Sequence, residues 1–336
     1  MREPKYLSPT SVGLFYSDRS EFYTQYLADN RPPRRPQTQP MSIGSAFDAY
    51  AKAYLHDRII GDDDPDFYFE KMFEDQVEPH NRDWAREHGK YVFESYRTSG
   101  ALGDLMLELR TAVGTPRFEF TVEGKVSHEA CIEGIPLLGK PDIYNQNEAG
   151  GHVIRDWKVN GYCSKGNTSP KPGYVMIRDG WKASVSPASR GTNSEHKDCD
   201  LFMSKGVTLN IGTTLEQIDL QWAGQLAIYA WLLGEPVGGK FIVGIEQLVC
   251  KSNTNGKYPL IRVATHRLRI DPQWQKDWFA AIAECWRIIQ SGHVFDDLSR
   301  DESDERCKVL DDQYKAYEGG SDADKWYRET MRKHQY

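Results

Sequence analysis

Long hydrophobic runs are missing from this chain of 336 residues. No apolar stretch approaches the roughly 18 residues that a membrane-spanning helix needs. The opening stretch, MREPKYLSPTSVG, has no apolar centre of the kind found in secretory signals. We therefore expect a cytoplasmic protein that has no membrane partner.

Cysteine is scarce, and its spacing argues against the common cysteine-rich sites. The six cysteines lie at positions 131, 163, 199, 250, 285 and 307. No two of them form the CxxC pair that zinc ribbons and related ligand clusters use. Scattered thiols in a chain without an export signal are expected to stay reduced. We therefore expect neither disulfides nor a structural metal held by cysteine.

An excess of basic residues is also absent, since the formal net charge is −7. This charge argues against a protein that coats nucleic acid along its whole surface. It is compatible with a basic channel inside an acidic shell, because phosphates need positive charge only where they run. With 39% hydrophobic and 27% charged residues, the composition is that of an ordinary globular protein.

The spacing of apolar residues changes from helical to alternating near residue 116. Before this point, one helix is predicted to begin at Ser8-Pro9 or Ser11, and a second near Ser42. The alternating segments are RFEFTVEGKV, IPLLGKPDIY, HVIRDWKV, GKFIVGIEQLVC and LIRVATHRLRI. The helical segments TLEQIDLQWAGQLAIYAWLLG and QWQKDWFAAIAECWRIIQSG stand before and after the last two of them. This order predicts an α/β fold with a mixed central β-sheet flanked by helices.

The same pattern divides the chain into three parts. Residues 1–115 form a helical N-terminal part, residues 116–295 the core, and residues 296–336 a charged C-terminal tail. The core contains an insertion at about 160–214 that is rich in Gly, Ser, Pro and Lys and has weak periodicity. A connection of that length is usually functional or carries small elements of its own.

The candidate site lies where two predicted strands are joined by a hairpin. Asp142 stands in LLGKPDIY, and Asp156 and Lys158 follow in VIRDWKV. Side chains alternate between the faces of a strand, so Asp156 and Lys158 point the same way while Trp157 points to the other face. Asp142 on the neighbouring strand brings a second carboxylate into the same small volume.

Two carboxylates beside an ammonium group suit metal-assisted hydrolysis of a phosphodiester. Asp142 and Asp156 offer the hard oxygen ligands that Mg²⁺ and Mn²⁺ prefer. Such a cation polarises a phosphodiester and activates water, and Lys158 can orient that water or stabilise charge on the phosphate. The alternative is a surface ion pair, which Asp-x-Lys forms on many solvated strands.

A glutamine–tyrosine pair follows on the next predicted helix. Gln225 and Tyr229 are four residues apart in QLAIYAWLL, so they share one face of that helix. The pair can hold a DNA backbone or the lysine of the preceding strand. The alternative is that Tyr229 packs in the core while Gln225 makes a local hydrogen bond.

These segments, in this order, resemble a known nuclease superfamily. GKPD, RDWK and QLAIY look like the G-x-x-D, D-x-K and Q-x-x-x-Y patterns of the PD-(D/E)XK nucleases, in particular the RecB-like exonucleases. The segments LSPTSVGLFYSDRSEFYTQYL and MSIGSAFDAYAKAYL are similar to the paired helices that precede the core in that group. The resemblance reaches from residue 7 to about residue 250 and leaves 160–214 unmatched.

The resemblance implies a restriction-endonuclease-like core and a DNA exonuclease that depends on Mg²⁺ or Mn²⁺. It further implies a role in recombination, repair or phage DNA processing, with DNA as substrate and a recombination or repair protein as a candidate partner. Asp48 stands where many RecB-like members carry a metal-ligating histidine. This implies a metal ligand beside Asp142 and Asp156, and the alternative is an exposed helix residue.

An iron–sulfur cluster, which some relatives hold through one early and three late cysteines, is not expected here. No cysteine precedes Cys131, and Asp18 stands about where the early cysteine would be. The chain thus lacks the first ligand of that pattern.

A basic segment with interleaved aromatic residues follows the catalytic strand. Its candidate DNA-binding residues are Lys165, Lys171, Arg178, Trp181 and Lys182. Basic groups for phosphates and rings for base stacking are what a DNA-binding groove needs. The alternative is a solvated insertion without a ligand.

Two other functions fit the same residues. The superfamily core also serves restriction and junction-cleaving enzymes, so a structure-specific or sequence-specific endonuclease is an alternative. A third possibility is a member that binds DNA or a partner protein without cutting. The intact set of Asp142, Asp156 and Lys158 argues against it, because such a protein would need no metal site.

Overall fold

The computed structural model describes residues 4–31, 36–118, 128–132, 134–160, 174–185, 201–204, 207–251 and 256–291. Helix α1 (Pro9–Ser17) begins as the sequence predicts, with Ser8 as its N-cap and Pro9 in its first turn. The Ser8 hydroxyl accepts a hydrogen bond from the Ser11 backbone N–H at 3.2 Å. This bond satisfies one of the N–H groups that have no partner at the start of a helix.

Seven further α-helices follow in the described ranges. They are α2 (Arg19–Phe22), α3 (Gln39–Ile59), α4 (Phe69–Gln76), α5 (Arg82–Ser99), α6 (Ala101–Arg110), α7 (Leu220–Leu232) and α8 (Pro272–Ser291). A π-helical turn, Tyr23–Leu27, extends α2. Helix α3 begins before the predicted Ser42, because Pro40 suits the first turn of a helix. None of the helices in the described ranges is both long and apolar enough to cross a membrane.

The strands form a mixed sheet and a separate two-stranded sheet. They are β1 (Val113–Phe118), β2 (His128–Ile132), β3 (Ile135–Gly139), β4 (Ile143–Gln146), β5 (His152–Asn160), β6 (Tyr174–Arg178), β7 (Trp181–Val185), β8 (Leu201–Ser204), β9 (Val207–Thr214), β10 (Ile242–Lys251) and β11 (Leu260–Arg269). The main order is β1-β4-β5-β10-β11-β6-β7; β9 also pairs with β11, and β8 with β9. Strands β5 and β10 are parallel, as are β9 and β11, while the other described pairs of this sheet are antiparallel. The predicted α/β class with a mixed sheet is confirmed.

One strand prediction is wrong. The segment IPLLGKPDIY, expected to be a single strand, is divided between β3 and β4. Pro141 lies in the gap, and proline has no N–H to donate to a ladder. The insertion at about 160–214 carries four strands, β6 to β9, as a connection of that length suggests. Residues 119–127 of the first predicted strand and the predicted tail at 296–336 lie outside the described residues.

The two faces of β5 pack against different helices. On one face, Trp157 meets Phe47 of α3 edge to face, with ring centroids 6.0 Å apart. On the other face, Asp156 and Lys158 contact Gln225 of α7. Asp156 and Lys158 therefore lie on the same face of β5, as the alternation of side chains along a strand predicts.

By its internal contacts the chain divides into two compact units. The larger comprises Pro36–Ala130 and Leu138–Trp278, and the smaller Met1–Arg35, Cys131–Leu137 and Phe279–Tyr336. In the larger unit α5 approaches α3 closely at a glycine: a Cβ atom at position 89 would lie 2.5 Å from Ala46 Cβ. In the smaller unit, Leu7 forms an isolated parallel bridge with Leu137.

Candidate active site

Asp142 lies in the gap between β3 and β4, immediately before the first residue of β4. Its Oδ2 atom accepts a hydrogen bond from the Trp157 backbone N–H at 2.9 Å. Since β4 and β5 form an antiparallel hairpin, this bond holds the carboxylate beside the strand that carries Asp156. The structure thus brings the two predicted carboxylates to the same end of the hairpin.

The side chains predicted on β5 and α7 form one hydrogen-bonded cluster. The Lys158 ammonium donates to Gln225 Oε1 at 2.6 Å and forms an ion pair with Asp156. Gln225 Nε2 donates to Asp156 Oδ1 at 3.3 Å and to Tyr229 Oη at 2.7 Å. Gln225 thus holds the lysine, and the features of the alternative are present as well, since Tyr229 is buried and Gln225 makes a local hydrogen bond to it.

Gly139, the glycine of GKPD, makes room for Tyr229. A Cβ atom at position 139 would lie 2.7 Å from Tyr229 Cδ1 and 2.7 Å from Leu232 Cδ1. Nonbonded carbon atoms pack at about 3.5–4.0 Å, so any side chain here would displace the tyrosine ring. Gly139 and Tyr229, which stand in separate motifs of the sequence, are therefore packing partners.

A second lysine, Lys52 of α3, joins the cluster although it belongs to none of the sequence motifs described above. Its ammonium lies 2.9 Å from Asp48 Oδ1 and 3.1 Å from Asp142 Oδ1, and its side chain is 1% exposed. Gln76 Nε2 donates to the other oxygen of Asp48 at 3.0 Å. The sequence does contain a pattern that indicates this contact. Asp48 and Lys52 are four residues apart in the mainly apolar segment IGSAFDAYAKAYL, so they share one face of the helix.

An open cleft of about 650 Å³ in the larger unit is lined by the members of this cluster other than Lys52, which are Asp48, Gln76, Asp142, Asp156, Lys158, Gln225 and Tyr229. Its walls come from α3, α7, β5 and the gap before β4. Ser45, Lys140, Asn160 and Trp222 complete much of the lining. The volume of the cleft is in the range of small-molecule binding sites. Its charged lining indicates that the group bound there is polar or charged.

The electrostatics of the cleft oppose ionisation of two of its carboxylates, Asp156 and Asp48. Burial raises the pKa of Asp156 to about 7, and the neighbouring Asp142 adds to the rise, while Lys158 opposes it. Burial also raises the pKa of Asp48, against the opposing effect of Lys52. Burial, with help from Asp156, raises the pKa of Tyr229. A bound cation would relieve the cost of charging Asp156.

Asp142 and Asp156 are the two residues whose chemistry fits a hard divalent cation. Asp156 Oδ2 is buried and receives no well-aligned hydrogen bond from the described residues, although Lys158 forms an ion pair with it. Lys52 and Gln76 engage both oxygens of Asp48. Both oxygens of Asp142 are engaged as well, but the Trp157 N–H holds this carboxylate against the strand that carries Asp156. Across the described ranges, no three His, Cys, Asp or Glu side chains are grouped in a way that could hold a metal ion. Asp48, Asp142 and Asp156 thus do not form a preassembled three-carboxylate site.

The candidate DNA-binding residues lie on another part of the sheet. Arg178, Trp181 and Lys182 belong to the β6–β7 hairpin, and Trp181 is 79% exposed. Strand β6 is the third neighbour from β5, which places it roughly 15 Å away at the usual strand spacing. Lys165 and Lys171 lie outside the described residues.

Replacing Asp156 by asparagine should stabilise the metal-free protein, and more so as the pH rises. The folded-state pKa of about 7 exceeds the ordinary value of about 4, so ionisation favours the unfolded chain between those pH values. Asparagine removes this penalty, and the difference in free energy of unfolding should widen by about 2–3 kcal/mol between about pH 5 and about pH 8. Urea unfolding at both pH values measures it.

The matched control is Asp57→Asn, at a side chain that is 73% exposed. Because surface substitutions of this kind change stability little, this variant should alter the free energy of unfolding by less than about 0.5 kcal/mol at either pH. A stabilisation by Asp156→Asn that is larger at the acidic pH would contradict the raised pKa.

No protein-family model matches this chain, and no curated protein sequence matches it either. The fold is an α/β fold with a mixed sheet. The cleft combines two neighbouring carboxylates with lysines held by hydrogen bonds and ion pairs.

Proposed function

We propose that this chain is a Mg²⁺- or Mn²⁺-dependent deoxyribonuclease of the PD-(D/E)XK superfamily, with a restriction-endonuclease-like core. The observation that carries the proposal is that Asp142, Asp156 and Lys158 share one open cleft, where Gln225 holds the lysine. A solvated ion pair is a poorer explanation, because Asp156 is only 5% exposed and burying a charge is costly. Buried ionisable groups that cost free energy in this way are concentrated at functional sites of proteins.

A bound Mg²⁺ or Mn²⁺ would supply the charge that polarises the phosphodiester and activates water for attack on phosphorus. Asp142 and Asp156 are the residues that would hold it. Lys158 stabilises the negative charge that develops on the phosphate oxygens or orients the attacking water. Gln225 keeps the Lys158 ammonium directed to this place, and Tyr229 supports Gln225 through the hydrogen bond between them.

We further propose exonuclease action on DNA ends, in recombination, repair or phage DNA processing in the cytoplasm. The order of GKPD, RDWK and QLAIY along the chain, which is that of the RecB-like group, supports this form of the activity. A recombination or repair protein is the expected partner.

The test is cleavage of end-labelled linear DNA beside a covalently closed circle, in Mg²⁺, Mn²⁺ or EDTA. Degradation of the linear DNA alone, lost in EDTA, is the expected result, and the label position shows the polarity. Cutting of the circle would instead identify an endonuclease. If neither DNA is cut but the protein binds both, the chain is a binding member of the superfamily and the catalytic proposal fails.

Replacing Trp181 by alanine should weaken DNA binding. Base stacking on an aromatic ring contributes about 1–3 kcal/mol, so the Kd should rise about tenfold.

Replacing Arg178 and Lys182 together should make the Kd less dependent on salt, because fewer counterions are released on binding. Fluorescence anisotropy with a labelled oligonucleotide in EDTA measures both effects. The control is Tyr68→Ala, because Tyr68 is an exposed ring outside the hairpin, with 48% of its surface exposed. An unchanged Kd for Trp181→Ala would show that the β6–β7 hairpin does not contact DNA.

A further inference from the structure

Lys52 is the buried cation of the cleft to which the proposed reaction assigns no task. Its ammonium lies between two carboxylates, 2.9 Å from Asp48 Oδ1 and 3.1 Å from Asp142 Oδ1. The ring of Trp157 lies beside it, with its centroid 6.0 Å from Nζ. A lysine that is 1% exposed gives up its hydration, so its position requires strong local partners.

Asp48 and Asp142 are not equivalent partners of Lys52. Both oxygens of Asp48 are engaged, Oδ1 by Lys52 and Oδ2 by Gln76. Asp142 uses Oδ1 for Lys52 and Oδ2 for the Trp157 N–H, and this second bond holds it against the strand that carries Asp156. The two carboxylates differ in position, because the partners of Asp48 lie on α3 and α4, whereas Asp142 is held by β5. Asp48 is therefore placed to anchor the lysine, while Asp142 is shared between the lysine and the proposed metal position.

The charges in the cleft show how many divalent ions it can take. The lining has three carboxylates, which are Asp48, Asp142 and Asp156, and one lysine besides the exposed Lys140, which is Lys158. The buried Lys52, which is not part of the lining, adds a second ammonium, so five charged groups are counted. With all five ionised, one negative charge remains. One divalent ion and one phosphodiester group together bring the formal charge to zero. A second divalent ion would leave two uncompensated positive charges in a largely buried site, which is costly. Without Lys52 the same count leaves one positive charge, and the oxygens of Asp48 and Asp142 that contact the ammonium become available to an ion.

We infer that Lys52 is a built-in cation that takes the place of a second divalent ion between Asp48 and Asp142, so that the site binds a single ion at Asp142 and Asp156. The inference rests on the proposed function. It assigns Asp48 to positioning Lys52 and not to metal ligation. Lys52 is thus a positioning residue that sets the metal stoichiometry.

The experiment counts Mn²⁺ ions per chain, by calorimetry and by electron paramagnetic resonance, in the full-length protein and in matched variants. Lys52→Met removes the charge and keeps the length of the side chain. We expect one Mn²⁺ in the native protein, two in Lys52→Met, and one again in the double variant Lys52→Met/Asp48→Asn. Lys52→Arg retains a cation and should bind one. Circular dichroism shows whether each variant is folded.

Two ions in the native protein, or one ion in folded Lys52→Met, would overturn the inference and leave the proposed nuclease intact. The absence of Mn²⁺ binding by the native protein would overturn both. These outcomes separate a failure of the inference from a failure of the proposed function.

A measurement on the native chain applies even if Lys52→Met does not fold. The Lys52 ammonium resonance, assigned in ¹⁵N-labelled protein by its loss in Lys52→Arg, should persist when Mg²⁺ is added to saturation. Its disappearance, or a shift to the position of solvent-exposed lysines, would mean that the ion displaces Lys52. That result would overturn the inference.

Discussion

Replacing Lys158 by alanine should reduce the rate of DNA cleavage about a thousandfold at saturating Mg²⁺, the scale expected when a group that stabilises transition-state charge is removed. The reason is that Lys158 is the cluster cation held by Gln225 beside the carboxylate that would bind the metal. DNA affinity should change little, because binding depends on many phosphate contacts. Single-turnover cleavage and anisotropy titration measure the two quantities separately.

Lys71→Ala is the matched control for Lys158→Ala. Lys71 is 50% exposed and pairs with Asp66 and Asp75 on the surface, so its loss should leave cleavage unchanged. Full metal-dependent cleavage by both Lys158→Ala and Asp156→Ala would show that the reaction occurs elsewhere. An equal loss of cleavage and DNA affinity in Lys158→Ala would assign the lysine to binding.

Replacing Glu246 by alanine should lower the free energy of unfolding by about 3–5 kcal/mol, the cost of leaving a buried charge without its partner. Glu246 is 1% exposed and lies 2.9 Å from Arg267, and it accepts a hydrogen bond from Thr265 at 2.7 Å. Arg155, also 1% exposed, and Arg267 share the remaining acid, Glu108. Without Glu246, two buried guanidinium groups would depend on that single carboxylate. Urea unfolding at neutral pH measures the loss.

The control for this prediction is an exposed ion pair in the same unit. Glu70→Ala breaks the pair with Arg86, whose side chains are 65% and 42% exposed, and should cost less than about 1 kcal/mol. Equal losses in the two variants would show that the Glu246 network contributes no more than a surface pair. Glu246 is paired in register with Trp157, on the face opposite to Lys158, so Glu246→Gln should keep cleavage activity if it folds.

Several local features follow directly from the spacing of residues. The start of α1 at Ser8 and Pro9 follows from capping chemistry. The shared face of Asp156 and Lys158 follows from the alternation of a strand. Each of these depends on neighbours within a few positions in the chain, and this is the range over which backbone geometry alone sets direction.

The segment IPLLGKPDIY, which residue spacing predicts to be one strand, is divided between β3 and β4. Apolar residues stand on both sides of GKPD, but Pro141 cannot donate to a ladder, and of the two halves β4 alone joins the main sheet. The break holds Asp142 at the start of β4, where the Trp157 N–H fixes it. The error in the strand prediction therefore falls on the residue that the proposed chemistry needs.

The sequence by itself determined the class of fold, the pairing of Asp156 with Lys158 on one strand face, and the helical spacing of Gln225 and Tyr229. Only the tertiary structure decided that Gln225 holds Lys158 across 67 positions and that Lys52 reaches Asp142 across 90. The physical reason is that hydrogen bonds and ion pairs between distant elements depend on how helices pack on the sheet. That packing is set by the buried surface of the whole unit and not by the residues around each motif.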